Sequence, residues 1–237
     1  MRLYLFDVDG TLIHAHGAGR VALGTALTEV YGTAGSVDRY DTRGKTDPLI
    51  VVEVMRGAGI PEEVIQARLP RFFTTYARHL DAVIDDGHPV RVLPGVADLV
   101  RALSERADAL VGLLTGNTES GARAKLRPTG LLPYFRVGAY GSDDPVRRRL
   151  PAVARDRAQA LTGRQFPFAD TWVIGDTPLD IDCARACGAV AVAVASGQHP
   201  IEELAAHSPD LLFRDFSDVE AALTALIGPR LPPRREV

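Results

Sequence analysis

Two aspartates one residue apart, Asp7 and Asp9, follow the apolar run Leu3-Tyr4-Leu5-Phe6 and precede Gly10-Thr11-Leu12. Such a run reads as a short buried strand, in which residues two apart point the same way. A bend after Val8 would send both carboxylates toward one point. Two like charges held together invite a metal ion, a shifted proton, or both. Gly10 lets the chain leave the strand through a tight turn. The plain alternative is an Asx-type turn at a strand end.

Two further strand ends carry polar chemistry. Leu113-Leu114-Thr115-Gly116-Asn117 is an apolar strand ending in a hydroxyl, with Asn117 expected as the N-cap of the next helix. Thr115 Oγ and the free N–H groups of that turn suit a phosphate. Trp172-Val173-Ile174-Gly175-Asp176 ends at a carboxylate, and Asp180 follows one helical turn later. Asp176 as a simple helix cap is the alternative, although Thr177 before Pro178 can take that role. In open parallel sheets the ligand site lies outside the carboxyl ends of the strands. Asp7/Asp9, Thr115 and Asp176/Asp180 would therefore lie along one edge.

The elements that must position these residues are legible. Strands are expected at 2–7, 108–114, 135–139, 171–175, 189–195 and 210–213, with helices at 95–106, 118–128, 147–162, 178–187, 200–207 and 217–227. Continuously apolar strands such as 110–114 and 189–194 are usually covered on both faces. The alternation points to an α/β fold with a doubly wound parallel sheet. Between about 17 and 90 the pattern becomes helical throughout. Val21, Leu23, Ala26, Leu27 and Val30 recur before Gly32; Thr46-Asp47-Pro48 caps a second helix; Pro61 opens a third. The expected division is an α/β core at 1–16 and 92–228, an inserted helical cap at 17–91, and a disordered Pro- and Arg-rich tail at 229–237. Gly17-Ala18-Gly19 and the stretch near Arg91–Pro94 are expected to be the two hinge strands.

Composition narrows the function. The 237 residues carry 27 Lys and Arg against 30 Asp and Glu, a net charge of -3, with 6% aromatics. That balance gives no general field for nucleic acid. No apolar run approaches the ~20 residues of a membrane span. The N-terminus enters a strand at once, so no signal peptide is expected. Cys183 and Cys187 share a helix face at a spacing poor for a disulfide, and free thiols in a reducing cytoplasm are expected. Oligomeric state is left open.

Taken together, DxDGT at 7–11, the hydrophobic-Thr-Gly-Asn motif at 113–117 and GDxxxD at 175–180 resemble the haloacid dehalogenase-like hydrolase superfamily over residues 1–227. The likeness is to its phosphatase branch with a helical cap, of the phosphoglycolate-phosphatase-like kind. The resemblance implies Asp7 as a nucleophile forming an aspartyl-phosphate, and Asp9 as the acid that protonates the leaving alcohol and then activates water. It implies that Thr115, with backbone N–H groups near Gly116 and Asn117, holds the transferring phosphoryl group. It implies Mg²⁺ bound by Asp7, the carbonyl of Asp9, and Asp176, with Asp180 in support. The acid at position 9 argues for phosphate esters over haloacids. The family's usual lysine is missing from Gly141–Leu150, and the chain's two lysines are Lys45 and Lys125. Lys125 is preferred as the phosphate-stabilising cation, with Arg147 as the alternative. Arg43 or Lys45, in the cap, would meet a second anionic group of the substrate. A small phosphorylated metabolite is the expected substrate. The alternatives are a phosphomutase of the same superfamily and a catalytically silent metabolite-binding protein.

Overall fold

The structure, a computed structural model, describes residues 1–229. Six parallel strands form the main sheet: β1 (Arg2–Phe6), β4 (Ala109–Thr115), β5 (Val137–Tyr140), β6 (Thr171–Gly175), β7 (Val190–Val194) and β8 (Leu211–Phe213), in the order β5-β4-β1-β6-β7-β8. Strands β2 (Ile13–His14) and β3 (Arg91–Val92) pair antiparallel as a separate ribbon. Every residue of β4 and β6 is buried, because helices cover both faces of the sheet. Alternation along β1 divides the core: Leu3 and Leu5 pack on one face, Tyr4 and Phe6 on the other. The chain winds outward from β1 in both directions, so its carboxyl end is the switch point of the sheet.

Helices α4 (Val96–Ser104), α5 (Glu119–Leu126), α6 (Leu150–Thr162), α7 (Pro178–Cys187), α8 (Ile201–Ala206) and α9 (Val219–Ile227) connect or flank these strands. Helices α1 (Ala18–Tyr31), α2 (Asp47–Gly57) and α3 (Glu62–Asp85) lie between β2 and β3 and form the inserted cap. Their apolar faces meet through Leu23, Leu27, Val51, Met55, Phe72 and Tyr76, all buried. Gly32 ends α1 in the left-handed conformation, and Thr46 caps α2 by accepting the Leu49 N–H. Among the described residues no helix is long and apolar enough to cross a membrane.

Three details correct the expectations. Gly17-Ala18-Gly19 form no strand, because Gly17, at φ 87°, caps α1 and the next two residues are helical; the strand that leads into the cap is Ile13–His14. The helix expected at 147–162 starts at Leu150; Pro151 favours a first-turn position, and Arg147–Arg149 form a separate tight turn. Strand β5 starts at Val137 rather than 135, because Pro133 sits in a tight turn over Leu132–Tyr134. Apart from Pro229, the expected disordered tail lies outside the described residues.

Candidate active site

Asp7 directly follows β1, whose Phe6 is in register with Leu113 of β4 on one side and Ile174 of β6 on the other. The neighbouring strands end at Thr115 and just before Asp176. The three polar strand ends are thus adjacent in the sheet, around a cavity of about 240 Å³ lined by Asp7, Asp9, Thr115, Lys125, Arg147 and Asp176. Asp7 is buried, and burial raises its carboxyl above the usual carboxylate range against the pull of Arg147 and the Thr115 hydroxyl.

Asp9 is held differently. Its Oδ2 accepts from Lys125 Nζ at 2.6 Å and from Asn117 Nδ2 at 2.9 Å. Lys125 Nζ also donates to Asn117 Oδ1 at 2.6 Å. Asn117 therefore does not cap α5. Thr118 does so, accepting the Gly121 N–H at 3.1 Å, while the Asn117 side chain bridges Asp9, Lys125 and Thr115 Oγ1. A residue that ties three site groups together is unavailable as a helix cap. Lys125 is 6% exposed. Burial opposes its charge, but Asp9 and Asp47 outweigh that penalty and raise its pKa.

Arg147 serves the other side. Its Nη2 lies 2.5 Å from Asp180 Oδ1 and 3.3 Å from Asp7 Oδ1, and its Nη1 donates to the cap carbonyl of Gly44 at 3.0 Å. Its buried Nε has no partner among the described residues. Arg148 and Arg149 are exposed and pair with Asp182 and Asp144.

Asp7, Asp176 and Asp180 are buried, with carboxylate oxygens within 4.8 Å of one another. Asp180 Oδ2 accepts from the Thr177 backbone N–H at 3.1 Å, which closes the α7 capping box, and from Thr177 Oγ1 at 2.8 Å, while its Oδ1 anchors Arg147. Asp176 Oδ1 accepts from Thr11 Oγ1 at 3.1 Å. Burial, then repulsion by Asp7 and Asp180, drives Asp176 well above the usual carboxylate range. The chain approaches it closely: a Cβ at Gly10 or Gly197 would lie 2.3 or 1.8 Å from Asp176 Oδ2. Three buried carboxylates against one guanidinium leave a surplus of negative charge. That all-oxygen donor set fits a hard divalent cation.

The cap cations expected to meet substrate line the cavity, but both are already engaged. Arg43 pairs with exposed Asp41 at 2.8 Å, and Lys45 pairs with Glu53 at 2.9 Å beside Tyr40. The sequence alone gives no sign of Ser196, and it marks Thr11 and Asp47 only as members of the DxDGT motif and of the polar 43–47 segment, with no role of their own. Ser196 Oγ donates to the Gly10 carbonyl at 2.8 Å and pins the turn after Asp9. Asp47 is buried against the 116–118 turn although it belongs to the cap. Its signal was a carboxylate directly after a threonine that already caps the helix.

The sequence model of haloacid dehalogenase-like hydrolases matches residues 1–188. Phosphoglycolate phosphatase of Synechococcus elongatus is 30% identical over 235 residues, covering 96% of this chain and 99% of that protein. Among solved structures, a hydrolase from Pseudomonas syringae superposes with a TM-score of 0.70 at 20% identity, covering 96% of this chain and all of that one. CbbY from Rhodobacter sphaeroides, solved in complex with phosphate, superposes at 0.67 with 18% identity, over 92% and 96% of the two chains. With its polar strand ends gathered at one edge, its inserted helical cap and these matches, the chain belongs to the haloacid dehalogenase-like hydrolase family and is grouped with that family's phosphatases.

Proposed function

We propose that the protein is a Mg²⁺-dependent phosphomonoesterase acting on a small phosphorylated metabolite through an aspartyl-phosphate. One observation carries the reading: Asp7, Thr115 and Asp176 stand at the carboxyl ends of three adjacent strands, with Asp9 in the same cavity. An oxygen of Asp7 attacks phosphorus, the ester P–O bond breaks, and the leaving alkoxide takes a proton from Asp9. Water then attacks the aspartyl-phosphate while Asp9 takes its proton. The Asp7–phosphorus bond breaks and inorganic phosphate leaves. Asp7 and Asp176, with the carbonyl of Asp9, would hold Mg²⁺, and Asp180 would support them. Bound there, the cation supplies the positive charge that lets one anion approach another. Thr115 and the N–H groups of the 116–117 turn orient the phosphoryl oxygens.

The two cations divide the work that one lysine does elsewhere in the family. Arg147, beside Asp7 and Asp180, offsets charge at the attacking carboxylate. Lys125 holds Asp9 and Asn117 in place. The cap, taken as residues 17–91, closes over this cavity and excludes water. The unbridged cysteines support a cytoplasmic location.

The test is a panel of phosphate esters assayed for released phosphate with and without Mg²⁺, beside Asp7→Asn. Phosphoglycolate comes first, because the Synechococcus elongatus relative is named for it. Mg²⁺-dependent release that vanishes in Asp7→Asn supports the reading. Isomerised sugar phosphate without net release would assign a mutase instead. No turnover of any ester would end the proposal.

A further inference from the structure

Asp47 lies outside the motifs but makes two bonds to the anion-binding turn. It is the first residue of α2, where Thr46 already performs the capping. Its carboxylate is therefore not needed by its own helix. Instead Asp47 Oδ2 accepts the Thr118 N–H at 2.8 Å, and the Asp47 N–H donates to the Gly116 carbonyl at 2.7 Å. Both partners belong to the turn that joins Thr115 to α5, the helix that carries Lys125. The fit is close. A Cβ on Gly116 would lie 2.0 Å from the Lys45 carbonyl oxygen, so only glycine allows the cap segment to rest there. Thr46 Oγ1 adds a bond to the Pro145 carbonyl at 2.7 Å, which fixes the same segment from the far side. Asp47 also attracts the buried Lys125 ammonium, whose direct partners are Asp9 and Asn117.

We infer that Asp47 is a positioning residue: reaching from the cap, it holds the 115–118 turn and Lys125 in the geometry that binds a phosphoryl group. This rests on the phosphatase reading of the site. It adds a residue outside the three motifs and makes the anion site a joint product of core and cap. A turn clamped from above presents its N–H groups in one orientation. With the clamp gone, the same turn keeps its sequence and its core contacts but loses an acceptor for Thr118 and a counter-charge for Lys125.

The experiment compares Asp47→Ala and Asp47→Asn with the intact enzyme, reading kcat, KM, competitive inhibition by inorganic phosphate, and folded content by circular dichroism. Asp47→Ala should weaken phosphate inhibition about 10- to 100-fold, the scale of one charge-assisted hydrogen bond, and lower kcat/KM in parallel, with folded content unchanged. Asp47→Asn keeps an oxygen that accepts the Thr118 N–H and should recover most of that loss. Phosphate inhibition within twofold of wild type in Asp47→Ala overturns the inference, whether or not kcat falls, because a merely structural loss lowers the active fraction and not the affinity. Direct calorimetric binding of inorganic phosphate repeats the comparison without turnover. Failure of the wild type to hydrolyse any ester would thus count against the phosphatase reading, while unchanged phosphate affinity in Asp47→Ala would count against this inference alone.

Discussion

At the scale of single residues, charge is concentrated where solvent is scarce. Asp7, Asp176 and Asp180 are buried together against one guanidinium, an arrangement that costs folding energy. Asp7→Asn should therefore lower turnover at least about 10³-fold and also raise the melting temperature in metal-free buffer. Differential scanning fluorimetry beside the phosphate assay checks both, and a lower melting temperature would refute the repulsion argument. Arg147 reaches Asp7, Asp180 and Gly44 with one planar fork, which a lysine cannot copy. Arg147→Lys should recover little of the activity lost in Arg147→Ala, whereas Lys125→Ala should reduce kcat through a misplaced Asp9. Asp47 offers a pH test. Burial raises its carboxyl from 3.8 to about 6, so the folded state holds this proton more tightly than the unfolded chain. The stabilisation it brings is full below the unfolded value and is lost as pH rises through about 6, a change of roughly 3 kcal/mol. Urea melts of wild type and Asp47→Asn at several pH values between 4 and 7 should show the wild type losing stability relative to the variant as pH rises. Parallel curves would contradict it.

At the scale of elements, what the sequence disclosed follows from which interactions are local. Strand ends and cap helices were legible because apolar runs, Thr46 before Pro48, and Gly32 after Val30 act within a few residues. The role of Asn117 was misread as a helix cap, because its partners Asp9 and Lys125 come from two other elements. The roles of Asp47 and Ser196 were not legible for the same reason: each acts across a contact that exists only after the cap or the β7 loop has docked. The choice between Lys125 and Arg147 also needed three dimensions, since both reach the cavity and touch different aspartates. One substitution tests the docked element directly. Gly116→Ala would place a methyl against the Lys45 carbonyl and lift the 44–47 segment off the turn. The expected result is a rise in KM of about tenfold or more with secondary structure intact, since a clash against backbone cannot be relieved by a rotamer change. Unchanged KM would mean that this segment moves freely during catalysis.

At the scale of the whole molecule, the proposed cation binding would draw on the same acidic cluster that opposes folding. A cation that binds only the folded protein stabilises it by RT ln(1 + [L]/Kd), about 2.7 kcal/mol when free ligand is a hundredfold above Kd. Here the gain has a specific source. The sheet brings Asp7 and Asp176 together from opposite regions of the chain, so the unfolded chain offers no comparable site. Millimolar Mg²⁺ added to metal-free protein should therefore raise the melting temperature by several degrees. A molecule of this size gains about 2–4 °C for each kcal/mol. Asp176→Asn removes one of the carboxylates proposed to hold the ion, and its intrinsic stability should rise as the repulsion in the cluster falls. Its melting temperature should consequently start higher than wild type without Mg²⁺ and respond less when Mg²⁺ is added. That crossing pattern separates a built cation site from general screening of surface charge, which NaCl at matched ionic strength would reproduce in both proteins. An equal response of wild type and variant to Mg²⁺ would place the ion elsewhere and remove the cation from the proposed mechanism.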